Sequence, residues 1–341
     1  MFKKITLIIP FFFCALPELV FAAEPGDLVA QPTGLVLMAP ETAGEWAIGL
    51  EAQMMMPIDK FQFVQGALIQ PDGSTIYHNE SVDNEHDWGW EADVAYQFAD
   101  TGRDVRFSYT DLNMSDTEQY QVSPDTILYG INGRNNPLTI TDGGSAYGTA
   151  TYHYRAADLI VGQLLTVGER LTLHPFAGLR YGKIDIVGVA KYIQDDGQEN
   201  KFTSDSTFNG IGPRAGIDAN IRLWYGFSLV GSFGTSLLLG NLNENYQIGT
   251  NVQQGGSSTY INNKNAEIFS VIPELDGSYG INYHANLNTK TGLDLQFGEQ
   301  VVNYFNADEH DYFDTVYVNS TVKNASFGYH GIYIRSQLSF I

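Results

Sequence analysis

The chain is poor in charge, in cysteine and in long hydrophobic runs. Charged residues are only 17% of the 341 residues, below the roughly 25% that is usual for soluble domains. A single cysteine, Cys14, excludes a disulfide scaffold and a CxxC metal site. Lys and Arg number 18 against 39 Asp and Glu, and a net charge of −21 excludes nucleic acid as a partner. The longest apolar stretches of the later chain, such as residues 237–239, are too short for a spanning helix.

The N-terminus has the layout of a secretory signal peptide. Lys3 and Lys4 precede an apolar stretch over residues 5–16, and small residues lead up to Ala22. We predict cleavage near Ala22, which would leave a mature chain without cysteine. The predicted organisation is a signal peptide at residues 1–22, a periplasmic segment at 23–43 that is a candidate plug, and one domain at 44–341.

The later chain alternates polar and apolar residues with period two, as strands between two environments do. In the clearest stretch, Trp88, Trp90 and Ala92 alternate with Glu91 and Asp93. The alternation loses phase near residues 156–158, so a count of eight to twelve strands is left open. Ten strands are predicted, at residues 45–56, 87–98, 104–112, 146–167, 171–187, 208–223, 227–240, 271–283, 287–297 and 325–340.

The connections between these strands alternate in length, which is typical of an outer-membrane barrel with short periplasmic turns and long external loops. A soluble sandwich would also alternate polar and apolar residues, but it has no reason to sort its loops by length. In lipid, a sheet can satisfy its backbone only by closing into a barrel. We therefore predict an all-β, transmembrane, antiparallel up-and-down barrel of about ten strands in the bacterial outer membrane. The predicted long connections are residues 57–86, 113–145, 188–207, 241–267 and 303–324.

Aromatic residues stand where the two membrane interfaces are expected. The predicted girdle consists of Trp46, Trp88, Trp90, Tyr96, Phe98, Trp224, Tyr225, Phe227, Tyr283 and Phe340. Tyr152, Tyr154, Phe269 and Tyr304 are also expected near the loop ends. The aromatic Phe340 in the last strand predicts recognition by the barrel-assembly machinery, and the expected surroundings are outer-membrane lipid and lipopolysaccharide.

Three segments carry a family resemblance: His174–Tyr181, Gly210–Asp218 and Gly226–Gly240. They resemble the pore-forming major outer membrane protein family of Legionella and its relatives, and the first strand around Trp46 is similar too. The resemblance implies an outer-membrane barrel with porin-like activity. Members of that family commonly carry cysteines that cross-link them. The predicted mature chain has none, so disulfide-linked oligomers are not implied, although an oligomer is compatible with the fold.

For a pore, the decisive residues are the charges expected to point inward, because an excess of one sign selects ions. Seven acids and six bases are nearly balanced: Glu51, Glu91, Asp93, Arg106, Arg180, Arg214, Asp218, Arg222, Glu274, Asp276, Lys290, Asp294 and Arg335. Ten strands lie near the size at which side chains fill a barrel. The prediction is passive diffusion of ions or small solutes with a weak cation preference and no cofactor. The alternative is a non-conducting structural or adhesive barrel that acts through its external loops.

Two further hypotheses concern the acidic loops. Glu85-His86-Asp87 and Glu309-His310-Asp311 repeat one triplet in the first and last external loops, which are neighbours in a closed barrel. His and carboxylate ligands suit zinc, and the favoured alternative is a coincidence of composition in acidic loops. The loop carboxylates could also hold divalent ions that bridge to lipopolysaccharide phosphates, or they form only a solvated, repulsive surface.

An enzyme is the less favoured alternative. Ten-stranded barrels include the omptin proteases, which use Asp and His at the barrel rim. The sequence contains seven His, but no Asp–His pair on facing strands can be placed from the pattern, and no GxSxG motif is present. We therefore predict no enzymatic activity.

Overall fold

The computed structural model describes residues 37–38, 44–70, 72–122, 126–130, 138–140, 144–251, 259–264, 267–313 and 320–341. The predicted signal peptide and most of the predicted periplasmic segment lie outside these residues. In the part of the chain that is described, no helix is long and apolar enough to cross a membrane.

Ten strands form one closed antiparallel barrel, as predicted. They are β1 (Glu45–Pro57), β2 (Asp87–Gln97), β3 (Arg103–Gln121), β4 (Ser145–Gln163), β5 (Leu171–Ile193), β6 (Glu199–Arg222), β7 (Phe227–Asn251), β8 (Ile268–Asn286), β9 (Thr291–Phe313) and β10 (Ser320–Phe340). Each strand pairs with the next. The ring closes where β10 pairs with β1, from Phe340 opposite Trp46 to Tyr329 opposite Pro57.

The two faces of each strand follow the alternation in the sequence. In β6, Ile211 is 54% exposed on the outer face, whereas Arg214 is buried inside. In β4 the alternation runs unbroken, with Ala156, Asp158 and Ile160 all buried inside. The expected phase slip near residues 156–158 is therefore wrong. Asp158 obscured the pattern because it is a charged residue at an inward position, where Arg180 pairs with it.

Several predicted loops are in fact extensions of the strands. The expected loop at 188–207 is mostly the continuation of β5 and β6, which are joined over residues 194–198. In these extensions Lys191 and Lys201 face outward, while Tyr192 and Phe202 are buried inside. The outer face of these extensions is polar because they project beyond the apolar belt of the barrel. Their polar composition resembles that of a loop, and the sequence therefore predicted one.

Among the described residues, seven short strands lie outside the ten barrel strands. Four of them, Thr75–Ser81, Gln62–Ile69, Thr126–Gly130 and Leu138–Ile140, form a separate antiparallel sheet from the connections β1–β2 and β3–β4. Leu37–Met38 pairs with Leu165–Val167 beside the β4–β5 turn. Thr259–Lys264 pairs with the end of β7.

The opposite end of the barrel has tight turns. Between β6 and β7, the Phe227 N–H donates to the Trp224 carbonyl at 3.0 Å. Tyr225 (φ 52°) and Gly226 (φ 83°) adopt the left-handed conformation that this turn requires. Gly226 accepts that conformation without steric cost, so the chain reverses within a few residues.

Candidate functional site: the barrel lumen

The ten residues predicted to form the girdle lie on the outer surface. Nine of them are exposed, from 38% for Phe340 to 88% for Tyr225, and Tyr96 is half-buried beneath Trp46 and Phe98 at ring distances of 4.9 and 5.1 Å. The expectation for Tyr152, Tyr154 and Tyr304 is wrong, because all three point inward and are buried. Phe269 is exposed as expected.

The lumen holds a polar cavity of about 560 Å³. It reaches from residues beside the short turns, among them Gln97, Leu164 and Ser339, to Tyr154 and Arg180 deep in the barrel. Of the thirteen predicted inward charges, ten line its wall: Glu51, Glu91, Asp93, Arg106, Arg180, Arg214, Asp218, Asp276, Asp294 and Arg335.

Three of the predicted pore residues lie elsewhere. Glu274 points inward but is completely buried beneath the cavity wall. Arg222 is exposed at the end of β6. Lys290 is exposed in the turn between β8 and β9, because β9 begins only at Thr291. The strand-end positions were misassigned because the alternation by itself does not show where a strand stops.

One ion-pair network crosses the lumen. Arg180 of β5 donates to Asp158 of β4 at 2.6 and 2.7 Å and to Glu274 of β8 at 2.7 Å. Arg214 of β6 donates to Asp276 of β8 at 2.6 and 3.1 Å and to Glu274 at 3.3 Å. Two guanidinium groups thus bind three carboxylates, one from β4 and two from β8, and β4 and β8 are not neighbouring strands. Charge-assisted, bidentate hydrogen bonds are stronger than neutral hydrogen bonds. These bonds therefore hold separate strands of the barrel wall together.

A second cluster surrounds Arg335 of β10. Its guanidinium donates to Asp93 at 2.5 Å and lies 3.7 Å from Glu91 and 3.8 Å from Glu51. Thr110 donates a further hydrogen bond to Glu91 at 2.9 Å. Three carboxyl groups share one cation here, so acidic groups outnumber basic ones in this part of the cavity.

Beyond the ion pairs the lumen is filled by apolar and aromatic side chains. The hydroxyl groups of Tyr154 and Tyr304 meet at 2.6 Å, and Phe327 packs against both rings. Every barrel strand except β2 contributes a residue with at most 1% of its surface exposed: Met55, Leu112, Tyr154, Ile184, Phe208, Leu238, Ile272, Tyr304 and Phe327. Water reaches almost none of this layer, so the described residues close the lumen here.

The first external connection caps this layer. Phe63 lies within the short strand Gln62–Ile69, and Phe61 directly precedes that strand. Both side chains are buried against the barrel wall. A Cβ atom at Gly148 would lie 2.4 Å from the Phe63 ring, and one at Gly188 would lie 2.4 Å from the Phe61 ring. These two wall glycines leave the space that the phenylalanines occupy. The cap was not predicted from the sequence, although Phe61, Phe63 and Val64 are a cluster of apolar residues within a predicted loop.

The structure also brings a histidine together with two aspartates from nearby strands of one wall, a contact that could not be assigned from the sequence. His174 of β5 lies between Asp104 of β3, at 2.6 Å from Nε2, and Asp218 of β6, at 3.0 Å from Nδ1. Ser232 donates to Asp218 at 2.7 Å. Both ring nitrogens of His174 are bonded to carboxylates, and the serine contacts Asp218 rather than His174. The arrangement therefore lacks the contact between a nucleophile and a base that a catalytic triad needs.

The proposed metal triplets remain a prediction. The backbone N–H of Glu85 donates to Asp116 at 3.0 Å, and Asp87 accepts from the backbone of Ser115 at 2.8 Å, while His86 is exposed. Glu309, His310 and Asp311 belong to β9, and their side chains lie outside the described residues. Among the side chains that are described, no group of three or more His, Cys, Asp or Glu could hold a metal ion.

A closed barrel with an apolar exterior is a transmembrane β-barrel protein. The chain belongs to a particular family of these proteins, described as the Legionella pneumophila major outer membrane protein precursor, whose profile matches residues 38–340. It is therefore a protein of the bacterial outer membrane. No curated protein matches the chain.

Several solved structures show a weak similarity to the chain. The outer membrane protease OmpT of Escherichia coli is 10% identical, with a TM-score of 0.41 over 90% of this chain and 99% of that one. The toluene transporter TodX of P. putida is 9% identical, with a TM-score of 0.32 over 89% and 90%. A Pseudomonas aeruginosa FadL homologue is 7% identical, with a TM-score of 0.24 over 87% and 90%. These values are too low to transfer an activity.

Proposed function

We propose that this protein is an ion-scale outer-membrane pore that rests closed. The observation that carries the proposal is the polar cavity of about 560 Å³, which enters the lumen from the short-turn end and reaches Tyr154, whose hydroxyl contacts that of Tyr304. Charged groups thus line this part of the lumen. The buried layer around Tyr154 and Phe327 and the cap formed by Phe61 and Phe63 occupy the lumen beyond it.

The charges of the cavity favour cations. Around Arg335 three carboxylates face one guanidinium, and Arg180 and Arg214 are both engaged with carboxylates. Fixed charges of one sign lower the barrier for ions of the opposite sign. An ion that reaches this cavity therefore meets a net negative wall, which supports a weak cation preference.

The second candidate is a non-conducting barrel that acts through its external surface. The buried layer around Tyr154 and Phe327 favours it, because at most 1% of these side chains is exposed. The four-stranded external sheet also favours it, since Ile69, Ile76 and Tyr77 expose large apolar surface there. Exposed apolar patches of this kind commonly mark interaction sites.

Single-channel recording in planar bilayers separates the two candidates. The samples are the wild type, a Phe61→Ser and Phe63→Ser double variant that weakens the cap, and a control, Tyr181→Ser, on the outer face. We expect rare openings for the wild type and the control, and frequent small steps for the cap variant. If all three proteins conduct nothing while each still migrates as a compact, heat-modifiable band, the pore proposal fails and the external surface becomes the functional one.

A further inference from the structure

The cavity wall around Arg335 offers more hydrogen-bond acceptors than donors. Glu51 and Glu91 lie directly opposite each other on β1 and β2, and both line the cavity. Like charges in this position destabilise a sheet. One oxygen of Glu51 lies 3.8 Å from the Arg335 guanidinium, and one oxygen of Glu91 lies 3.7 Å from it. Both distances are beyond hydrogen-bond length, so these two oxygens can accept hydrogen bonds from a bound molecule.

A buried amide beside these groups also lacks a donor. Gln53 of β1 is completely buried, and its Nε2 donates to Glu51 at 2.8 Å. The other side-chain atom of this amide, Oε1, has no hydrogen-bond partner among the described residues. A buried acceptor without a partner is unfavourable. The Gln53 amide is therefore an independent sign that this cluster receives a donor from outside the chain.

The cavity favours an organic cation over a metal ion. In the described part of the chain, no group of three or more His, Cys, Asp or Glu could hold a metal. The volume of about 560 Å³ is in the range of pockets that bind small organic ligands. A primary ammonium group carries three N–H donors on one charge, which matches several separate acceptors. Tyr329 and Tyr333 also line the cavity, and the faces of aromatic rings attract cations.

We propose that the lumen binds a small organic molecule with a primary ammonium group at the cluster of Glu51, Glu91 and Gln53. The ammonium donates to both carboxyl groups and to the Gln53 amide oxygen, and the alkyl part of the ligand lies along Tyr329 and Tyr333. The ligand enters from the short-turn end, to which the cavity reaches. The inference extends the cation preference proposed above, but binding needs only the polar cavity and no open path through the barrel.

Isothermal titration calorimetry of the purified barrel in a non-ionic detergent tests this site. The probes are three chloride salts: butylammonium, tetramethylammonium, which has the same charge but no N–H donor, and sodium. We expect one saturable site for butylammonium and about tenfold weaker binding of the other two, the factor of roughly one charge-assisted hydrogen bond. Equal affinities for the three cations would show only a general attraction of the acidic cavity for positive charge and would overturn the site. Absence of saturable butylammonium binding would overturn it too.

Two variants and a control locate the ligand. Glu91→Gln keeps the shape of the side chain and removes its charge, and Gln53→Leu removes the amide. Each should weaken butylammonium binding about tenfold on the same basis. Asp195→Asn removes a negative charge from the exposed connection between β5 and β6 and should leave the affinity unchanged. Undiminished binding by either cavity variant would contradict the proposed position of the ammonium group.

The outcome is separable from that of the conduction experiment. Heat-modifiable migration checks that each variant has folded. Saturable binding by a barrel that never conducts would support the ligand site and reject the pore. Conductance without saturable binding would reject the ligand site and leave the pore proposal standing.

Discussion

Tyr154 and Tyr304 join opposite walls of the barrel, hydroxyl to hydroxyl at 2.6 Å. Tyr154 belongs to β4 and Tyr304 to β9, which are five positions apart in a ring of ten strands. The contact therefore spans the whole lumen. It lies directly above the guanidinium of Arg180, whose Nη1 is 3.5 Å from the Tyr304 oxygen, so the aromatic layer and the ion-pair network are continuous.

Removal of one hydroxyl from this bridge should destabilise the barrel. Tyr154→Phe or Tyr304→Phe leaves a buried hydroxyl without its partner, which costs about 1–3 kcal/mol. The double variant should cost less than the sum of the two, because neither hydroxyl then remains unpaired. Urea unfolding in detergent, followed by the heat-modifiable band, measures the three free energies. Strictly additive losses would show that the two hydroxyl groups do not interact.

Loss of Arg180 should be more damaging than loss of the bridge. Arg180→Met leaves Asp158 and Glu274 buried without this guanidinium, and an unpaired buried charge costs about 3–5 kcal/mol. Lys290→Met removes a cation from an exposed turn and should change stability by less than about 0.5 kcal/mol. Unfolding midpoints of both variants make the comparison, and similar midpoints would contradict the assigned role of the network.

Ion selectivity should follow the Arg335 cluster if the barrel conducts. Arg335→Gln removes the one guanidinium that Glu51, Glu91 and Asp93 share, so cation preference should rise. Glu91→Gln removes a negative charge and should lower it. Reversal potentials in a salt gradient, recorded on single channels, give both shifts. Shifts of the same sign in the two variants would place the selective charges elsewhere.

The fit between Phe63 and Gly148 should hold the cap in place. Gly148→Ala puts a Cβ atom 2.4 Å from the Phe63 ring, so the ring must move and the first external connection should become more accessible to protease. Adding Phe63→Ala to Gly148→Ala should relieve the clash but not restore the packing. Thr149→Ala, on the outer face next to Gly148, is the matched control. Identical digestion of Gly148→Ala and the control would mean that the ring adapts without release of the cap.

The sequence alone was enough for the barrel and for most of its inward charges. Period-two alternation placed β2 at 87–98, against Asp87–Gln97 in the structure, and it assigned Arg214 and Asp218 to the inner face. This succeeds because the side of a sheet on which a residue lies depends only on its place along its own strand. The alternation of long and short connections then indicated a sheet that spans a membrane. Such a sheet must close into a ring, because an open sheet edge is not tolerated in lipid.

What lies across the lumen was decided only by the tertiary structure. The partners of Tyr154, of His174 and of Arg180 come from strands far apart in the chain, and no local pattern encodes which strands face each other or at what stagger. The contact of Phe63 with Gly148 could not be predicted either, because Gly148 is on another strand. Local periodicity determines the two faces of each strand, whereas ring closure and register determine which inward side chains meet, and those contacts decide whether the barrel is open or closed.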